Sequence, residues 1–352
     1  MDFGFSEDQH LLQQTVRDFL DGECTPEWLR AGWETDTGRD PTFWSRLAEI
    51  GVPGLLVPED CGGLGMDEID AVLIFEEVGR AALAEPLVGT AVAAALLREC
   101  GDTALRERWL PAVAEGRAVL ALGHPQSPFV ADAHVADLLL LAEGDALHAV
   151  ARDAASLEAQ ASNDGSQRLF RVSFEASEAT RVAEGEAARS LIDAALDRGA
   201  LFSAAQALGA ADRLITLAAE YAGQRVQFGV AIGTFQAVKH LLADDKVKLE
   251  YARSHVYRAA HSVARAVPCR AADVSMAKLA ACEAASQAAK TSLQVHGAIG
   301  YTYEQDVHIW MKRAWSLDLA YGDSVFHRAR LCDAVIDGAL PAESFGYSPR
   351  GA

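Results

Sequence analysis

Basic residues are scarce in this chain. Its 352 residues carry 31 Lys plus Arg against 50 Asp plus Glu, a formal net charge of -19 at pH 7. That charge repels a nucleic-acid backbone or an anionic membrane surface, so no nucleic-acid partner is expected. Long apolar runs are also missing. The longest, around Ala91 to Leu97, falls well short of the roughly 20 residues that a bilayer span needs. The opening Met1-Asp2-Phe3-Gly4-Phe5 has no basic leader segment. The expectation is a soluble, cytoplasmic protein without a membrane span. Six cysteines, at 24, 61, 100, 269, 282 and 332, are too scattered for a metal knuckle or a disulfide framework, and no metal site is expected. What is plentiful is apolar character, half of the chain, which supports a large core divided over two or three structural units.

Ser6-Glu7-Asp8-Gln9 reads as a capping box, and Leu12, Val16, Phe19 and Leu20 follow at helical spacing. A second helical face runs from Thr42 to Ile50, before the break at Gly51-Val52-Pro53-Gly54. Pro58 to Gly65, with three glycines in four positions, reads as a loop. A helix from Asp67 through Glu76-Glu77 to Gly79, the Ala-rich run 91–97, and Leu105, Trp109 and Leu110 complete a helical segment. The texture then changes. Runs at 118–122, 136–141, 147–150 and 169–174, separated by Gly and Asp, predict strands. Helical periodicity returns from Ala187 to Asp337, broken at 223–233, near Pro268, at 297–300 and at Gly322. The fold expected is α+β and mostly helical: an N-terminal helical domain over 1–116, a small central β domain over 117–186, and a C-terminal four-helix-type bundle over 187–352.

Two stretches carry candidate chemistry. In Gln224-Arg225-Val226-Gln227-Phe228-Gly229, followed by Thr234-Phe235-Gln236, an arginine at a loop edge can clamp a diphosphate and Gln236 can bond a base or ribose. Taken alone, a local ion pair of Arg225 with a carboxylate such as Asp244 is the simpler reading. In Gln294-Val295-His296-Gly297-Ala298-Ile299-Gly300, the glycines allow close approach of a ligand, or else form a helix C-cap at Gly297 and a turn at Gly300.

Together these stretches resemble the acyl-CoA dehydrogenase family, and the resemblance covers nearly the whole chain. It rests on Arg225/Phe228/Gly229, Phe235-Gln236 and Gln294/Gly297/Ala298/Gly300, with further similarity at Phe5 to Gln9 and Val57 to Gly65. It implies FAD, with Arg225, Phe228, Gln236, Gln294, Gly297 and Gly300 holding its ADP half across a subunit interface. It also implies an acyl-CoA substrate and electron-transfer flavoprotein as acceptor.

Two departures from the family pattern stand out. Where the family cradles the flavin ring, this chain reads Leu122-Gly123-His124-Pro125-Gln126-Ser127-Pro128, and no tryptophan occurs between Trp109 and Trp310. The flavin cradle is expected to be missing, and His124 to be structural or solvated. Desaturation also needs a carboxylate base. At the two positions where the family carries one, this chain has Gly322, in Tyr321-Gly322-Asp323-Ser324, and Gly199. Asp323 is one residue away, but as a helix N-cap it has a simpler role. Glu76-Glu77 reads as a solvated helix face and packing edge rather than an acid/base dyad, Trp310 and Trp315 as core, and His327 as an exposed or core-satisfied helix residue. The pattern resembles the non-catalytic partner in α2β2 acyl-CoA dehydrogenases that act on steroid side-chain or other bulky thioesters. Two alternatives are a homodimer using Asp323 as base, and a non-catalytic protein that binds CoA esters or docks a partner.

Overall fold

A computed structural model describes residues 4–336, so Met1 to Phe3 and the bundle's expected extension over 337–352 lie outside the described residues. The chain forms two compact units. The first takes the chain up to Glu77 together with Leu83–Gly199, and the second takes Val78–Ala82 together with the chain from Ala200.

In the first unit, α1 (Glu7–Glu23) starts at a complete capping box: the Ser6 hydroxyl accepts the Gln9 N–H at 3.2 Å and the Gln9 amide oxygen accepts the Ser6 N–H at 2.7 Å. α2 (Pro26–Trp33) and α3 (Pro41–Glu49) begin with proline behind Thr25 and Asp40 caps. α4 (Glu68–Arg80), α5 (Leu87–Glu99) and α6 (Thr103–Ala114) follow. α5 is buried from Thr90 to Leu97, which explains its unbroken apolar sequence.

Seven strands complete this unit: β1 (Leu120–Gly123), β2 (Val130–Ala131), β3 (Leu138–Glu143), β4 (Ala146–Ala151), β5 (Ala155–Gln160), β6 (Leu169–Phe174) and β7 (Arg181–Glu184). One sheet has the order β1-β3-β4-β7, with β1 and β3 parallel, and the other β2-β6-β5, wholly antiparallel. The apolar runs at 118–122, 136–141, 147–150 and 169–174 correspond to β1, β3, β4 and β6. The sequence reading passed over β2, β5 and β7. β5, Ala-Ser-Leu-Glu-Ala-Gln, has weak strand formers and is held by its six-residue pairing with β6.

The second unit contains the C-terminal part of α7 (Gly185–Gln224), the hairpin β8 (Val226–Gln227) and β9 (Val230–Ala231), and α8 (Gln236–Ala264), α9 (Arg270–His296), α10 (Val307–Leu319) and α11 (Ser324–Ile336). α9 is central and packs on α8, α10 and α11. Ala is the commonest residue at its buried positions, including Ala277, Ala281, Ala284, Ala285 and Ala288, so neighbours approach closely. The fold is α+β and mostly helical, ending in a helical bundle.

Two sequence expectations need correction. Glu76 and Glu77 are not solvated: they are 7% and 1% exposed, and Glu77 is held by Arg17 Nε (2.9 Å) and Gln13 Nε2 (2.8 Å). Partnered in this way, Glu77 serves as a structural charge. Trp315 is 44% exposed, so of the tryptophan pair only Trp310 fills core; its Nε1 donates to the Arg80 carbonyl at 2.8 Å. Among the described residues no helix is long and apolar enough to cross a membrane.

Candidate functional site

The Arg225 stretch is a two-residue hairpin. β8 and β9 pair as Val226↔Ala231 and Gln227↔Val230, and the turn residues Phe228 and Gly229 both have left-handed backbone, φ 53° and 80°. A right-twisted hairpin requires that pair of positive φ values. The Ile232 N–H closes the loop on the Arg225 carbonyl at 2.8 Å, and the Arg225 N–H ties back to Tyr221 at 2.8 Å. α8 then starts at Gln236 with no side-chain cap, so the orphan N–H groups of its first turn lie beside that glutamine.

The second stretch ends α9. Gly297 (φ 64°) terminates the helix, its N–H bonding to the Gln294 and Leu293 carbonyls, as the C-cap reading expected. At Gly300 a Cβ would lie 2.9 Å from His296 Cβ and 3.2 Å from the Leu293 carbonyl, so the chain closes tightly here.

The rings of Tyr221 and His296 stack at 4.3 Å and 24°, joining the ends of α7 and α9. Around them Ala218, Ala222 and Val295 form a buried cluster covered by Tyr221, Ile232, Val238 and Leu242. His296 donates from Nδ1 to the Ser292 carbonyl at 2.7 Å, and burial holds its pKa below the usual histidine value. The two motifs are thus mounted on one packed platform. Neither Tyr221 nor His296 was singled out from sequence; the sign of them was an aromatic one turn before Arg225 and another inside the glycine motif.

The polar groups on this platform are uncommitted. Arg225, Gln236 and Gln294 are exposed, and among the described residues no hydrogen bond or ion pair engages their side chains. The alternative of an Arg225–Asp244 pair is therefore not realised. Val226, Phe228, Val230 and Phe235 are 56%, 92%, 43% and 39% exposed, leaving apolar surface beside the free guanidinium.

The Tyr321–Ser324 loop is built differently. Asp323 Oδ1 accepts the Phe326 N–H at 2.8 Å, and the Asp323 carbonyl accepts from His327. Asp323 thus acts as a cap for α11. Gly322 is buried with φ 94°. His327 is fully buried, its Nε2 donating to the Tyr321 carbonyl (3.0 Å) and its Nδ1 accepting from Ser275 Oγ (3.1 Å). Burial first, and then the Lys278 charge, push its pKa down to about 4. Lys278, 1% exposed, donates to the carbonyls of Leu317 and Ala320 at the end of α10. Sequence reasoning missed Lys278, because a lysine among alanines on a helix reads as an exposed face.

The two regions lie far apart on α9. Ser275 contacts the loop and His296 the platform, and 21 residues of continuous helix separate them, about 30 Å. Gly199, the other glycine at an expected base position, is buried within α7. Its neighbour Arg198 binds Glu68 at 2.6 Å and Glu99 at 2.9 Å. At the end of β1, His124 Nδ1 accepts the Gln126 N–H (3.0 Å) and Nε2 donates to the Ile192 carbonyl (3.2 Å), a structural histidine. A Cβ at Gly123 would meet Leu141 at 2.7 Å and Val130 at 3.0 Å, so this strand end is packed against its own chain.

The family models described as "Acyl-CoA dehydrogenase, N-terminal domain" and "Acyl-CoA dehydrogenase, C-terminal domain" match residues 6–117 and 189–336. The chain is 36% identical over 310 residues to acyl-CoA dehydrogenase IpdE2 of Mycobacterium tuberculosis, covering 88% of this chain and 91% of the relative. It is 34% identical over 311 residues to IpdE2 of Mycolicibacterium smegmatis, covering 88% and 93%. Among solved structures, a variant of the Tcur3481–Tcur3483 steroid ACAD superposes with a TM-score of 0.85 at 27% identity, covering 95% of this chain and 99% of the other. The ChsE4–ChsE5 complex of Mycobacterium tuberculosis matches with a TM-score of 0.83 at 26% identity, covering 97% and 100%.

Proposed function

Because the chain belongs to the acyl-CoA dehydrogenase family, whose members depend on FAD, we propose that it is the cofactor-supporting subunit of a heteromeric acyl-CoA dehydrogenase. It lends its platform to FAD bound largely by a neighbouring subunit and contributes no catalytic base of its own. The observation that carries this reading is the contrast in commitment: Arg225, Gln236 and Gln294 have free side chains, whereas Asp323 is engaged as a cap and Gly322 has no side chain.

The residues on the platform fit the ADP half of FAD. An unpaired guanidinium beside exposed amides suits a diphosphate and its ribose, and the apolar hairpin tip suits burial against a second subunit. The residues at the β1 end do not fit a flavin ring, since Leu141 and Val130 crowd Gly123 and both His124 nitrogens are hydrogen-bonded. When bound, FAD supplies the acceptor for the hydride leaving an acyl-CoA thioester. In this reading Arg225 neutralises the diphosphate, Gln236 and Gln294 orient the adenosine side, and Phe228 with Gly297 and Gly300 shapes the contact. The α-proton goes to a Glu of the homologous subunit. The segments 1–116, 117–186 and 187–352 are proposed as its domains, with the cofactor elements confined to the last. The steroid ACAD among the similar structures and the ChsE4–ChsE5 complex support a bulky, steroid-type acyl-CoA substrate and a heteromeric assembly, which we take to be α2β2 with electron-transfer flavoprotein as acceptor.

Purification tests the reading. The chain alone should be colourless, and co-expressed with a base-bearing homologous subunit it should be yellow and reduce an electron acceptor on addition of an acyl-CoA. A yellow chain that turns over alone would replace this reading with a homodimer. A chain colourless in both settings would make it a binding protein.

A further inference from the structure

We propose that the loop at residues 321–323 is a filled site rather than a vacant one: Phe326 and His327 of α11 occupy the volume that a side chain at residue 322 would need. The proposal rests on the reading above only where it treats residue 322 as the place of the missing base.

A Cβ built on Gly322 would sit 2.5 Å from Phe326 Cδ1 and 3.0 Å from His327 Nε2, and φ of 94° is itself outside the range that L side chains favour. The intruding groups are held in place. The Phe326 ring meets the His327 ring edge-on, with centroids 5.1 Å apart and planes at 79°. His327 cannot withdraw without losing both Ser275 and the Tyr321 carbonyl. The backbone cannot easily retreat either: Lys278 binds the Ala320 carbonyl at 2.9 Å, Tyr321 already lies at φ 55°, and Asp323 is tied to the first turn of α11. Each of the four residues from Ala320 to Asp323 is therefore constrained by a hydrogen bond, a left-handed backbone, or both. A glutamate introduced at 322 meets a packed ring before it can reach any substrate, so regaining a base takes at least two changes, the first of which removes Phe326.

A double-mutant cycle on the full chain tests this, using Gly322→Ala, Phe326→Ala and the double variant, read as urea midpoints. The expected result is a large fall for Gly322→Ala that is at least halved when Phe326 is already Ala. Additive effects would overturn the proposal, since backbone strain alone would not be relieved by shortening residue 326. Should Gly322→Ala fail to fold, solubility of the double variant decides: recovery supports the filled site, and failure overturns it. The denaturation cycle needs no cofactor or partner, so it stays decisive even if the chain proves active alone.

Discussion

The platform bearing Arg225 and Gln294 and the loop bearing Gly322 and Asp323 are built from opposite principles. On the platform, packing is apolar and lies underneath, through Tyr221, His296 and Val295, while the polar side chains are left without partners. In the loop, Lys278, Ser275 and His327 are buried and bonded to backbone or to one another. Free polar groups on a rigid support can bind something else, whereas buried polar groups with all partners present can only hold the chain together. The difference separates a surface with polar groups to spare from a segment whose polar groups are spent on scaffold.

Four experiments break or sharpen this contrast. Lys278→Met should cost the most, about 4 kcal/mol by chemical denaturation, because two buried carbonyls lose their donor. Arg225→Ala, exposed and unpartnered, should stay within about 0.5 kcal/mol of the parent in the same assay.

The second is a pH titration of stability. The groups around His327 are the Lys278 ammonium on α9, the Tyr321 carbonyl, Arg330 on α11 and Asp323 capping that helix. Its pKa falls from 6.5 to about 4 in the folded chain, so between those values the unfolded state binds the extra proton. Its contribution is complete above about pH 6.5 and is lost as pH falls toward 4, about 3 kcal/mol in all. His327→Gln should flatten that part of the curve, and an unchanged curve would count against the assignment.

The third reverses the ranking. In the assembled complex Arg225→Ala should weaken FAD retention by about 2 kcal/mol, roughly 30-fold, followed by flavin absorbance after gel filtration. Lys278→Met, if folded, should leave that retention unchanged. The smallest effect is expected of Asp323→Asn, since Asn also caps helices well: less than about 1 kcal/mol, and little change in turnover of the complex. Abolished turnover with flavin and assembly intact would restore Asp323 as the base.

Legibility from sequence followed the same division. The capping box at Ser6, the glycine breaks near 223–233 and 297–300, and the return of helical periodicity are local signals, and each matches an element boundary. Arg225, Gln236 and Gln294 stand out in the sequence by residue type and motif spacing, and the structure leaves all three exposed with uncommitted side chains. What could not be read depends on partners distant in the chain. β5 exists because β6 pairs with it; Glu77 is buried because Arg17, sixty residues away, reaches it. Lys278 and His327 acquire roles only once α9, α10 and α11 are packed together. Trp315 shows the converse, an apolar residue whose helix turns it outward.

The hairpin at Phe228 carries a further consequence, for which kinds of sequence change the chain can absorb. With only two residues between its strands and the Ile232 N–H closing on Arg225, the loop is fixed in length more strictly than in composition. A substitution at Val226 or Gln227 changes what the tip presents. Inserting a single residue shifts the pairing by one, turns alternate side chains to the other face, and swings Arg225 relative to Gln236. Among relatives of this chain, variation here should therefore appear as exchange of residue types within a constant count.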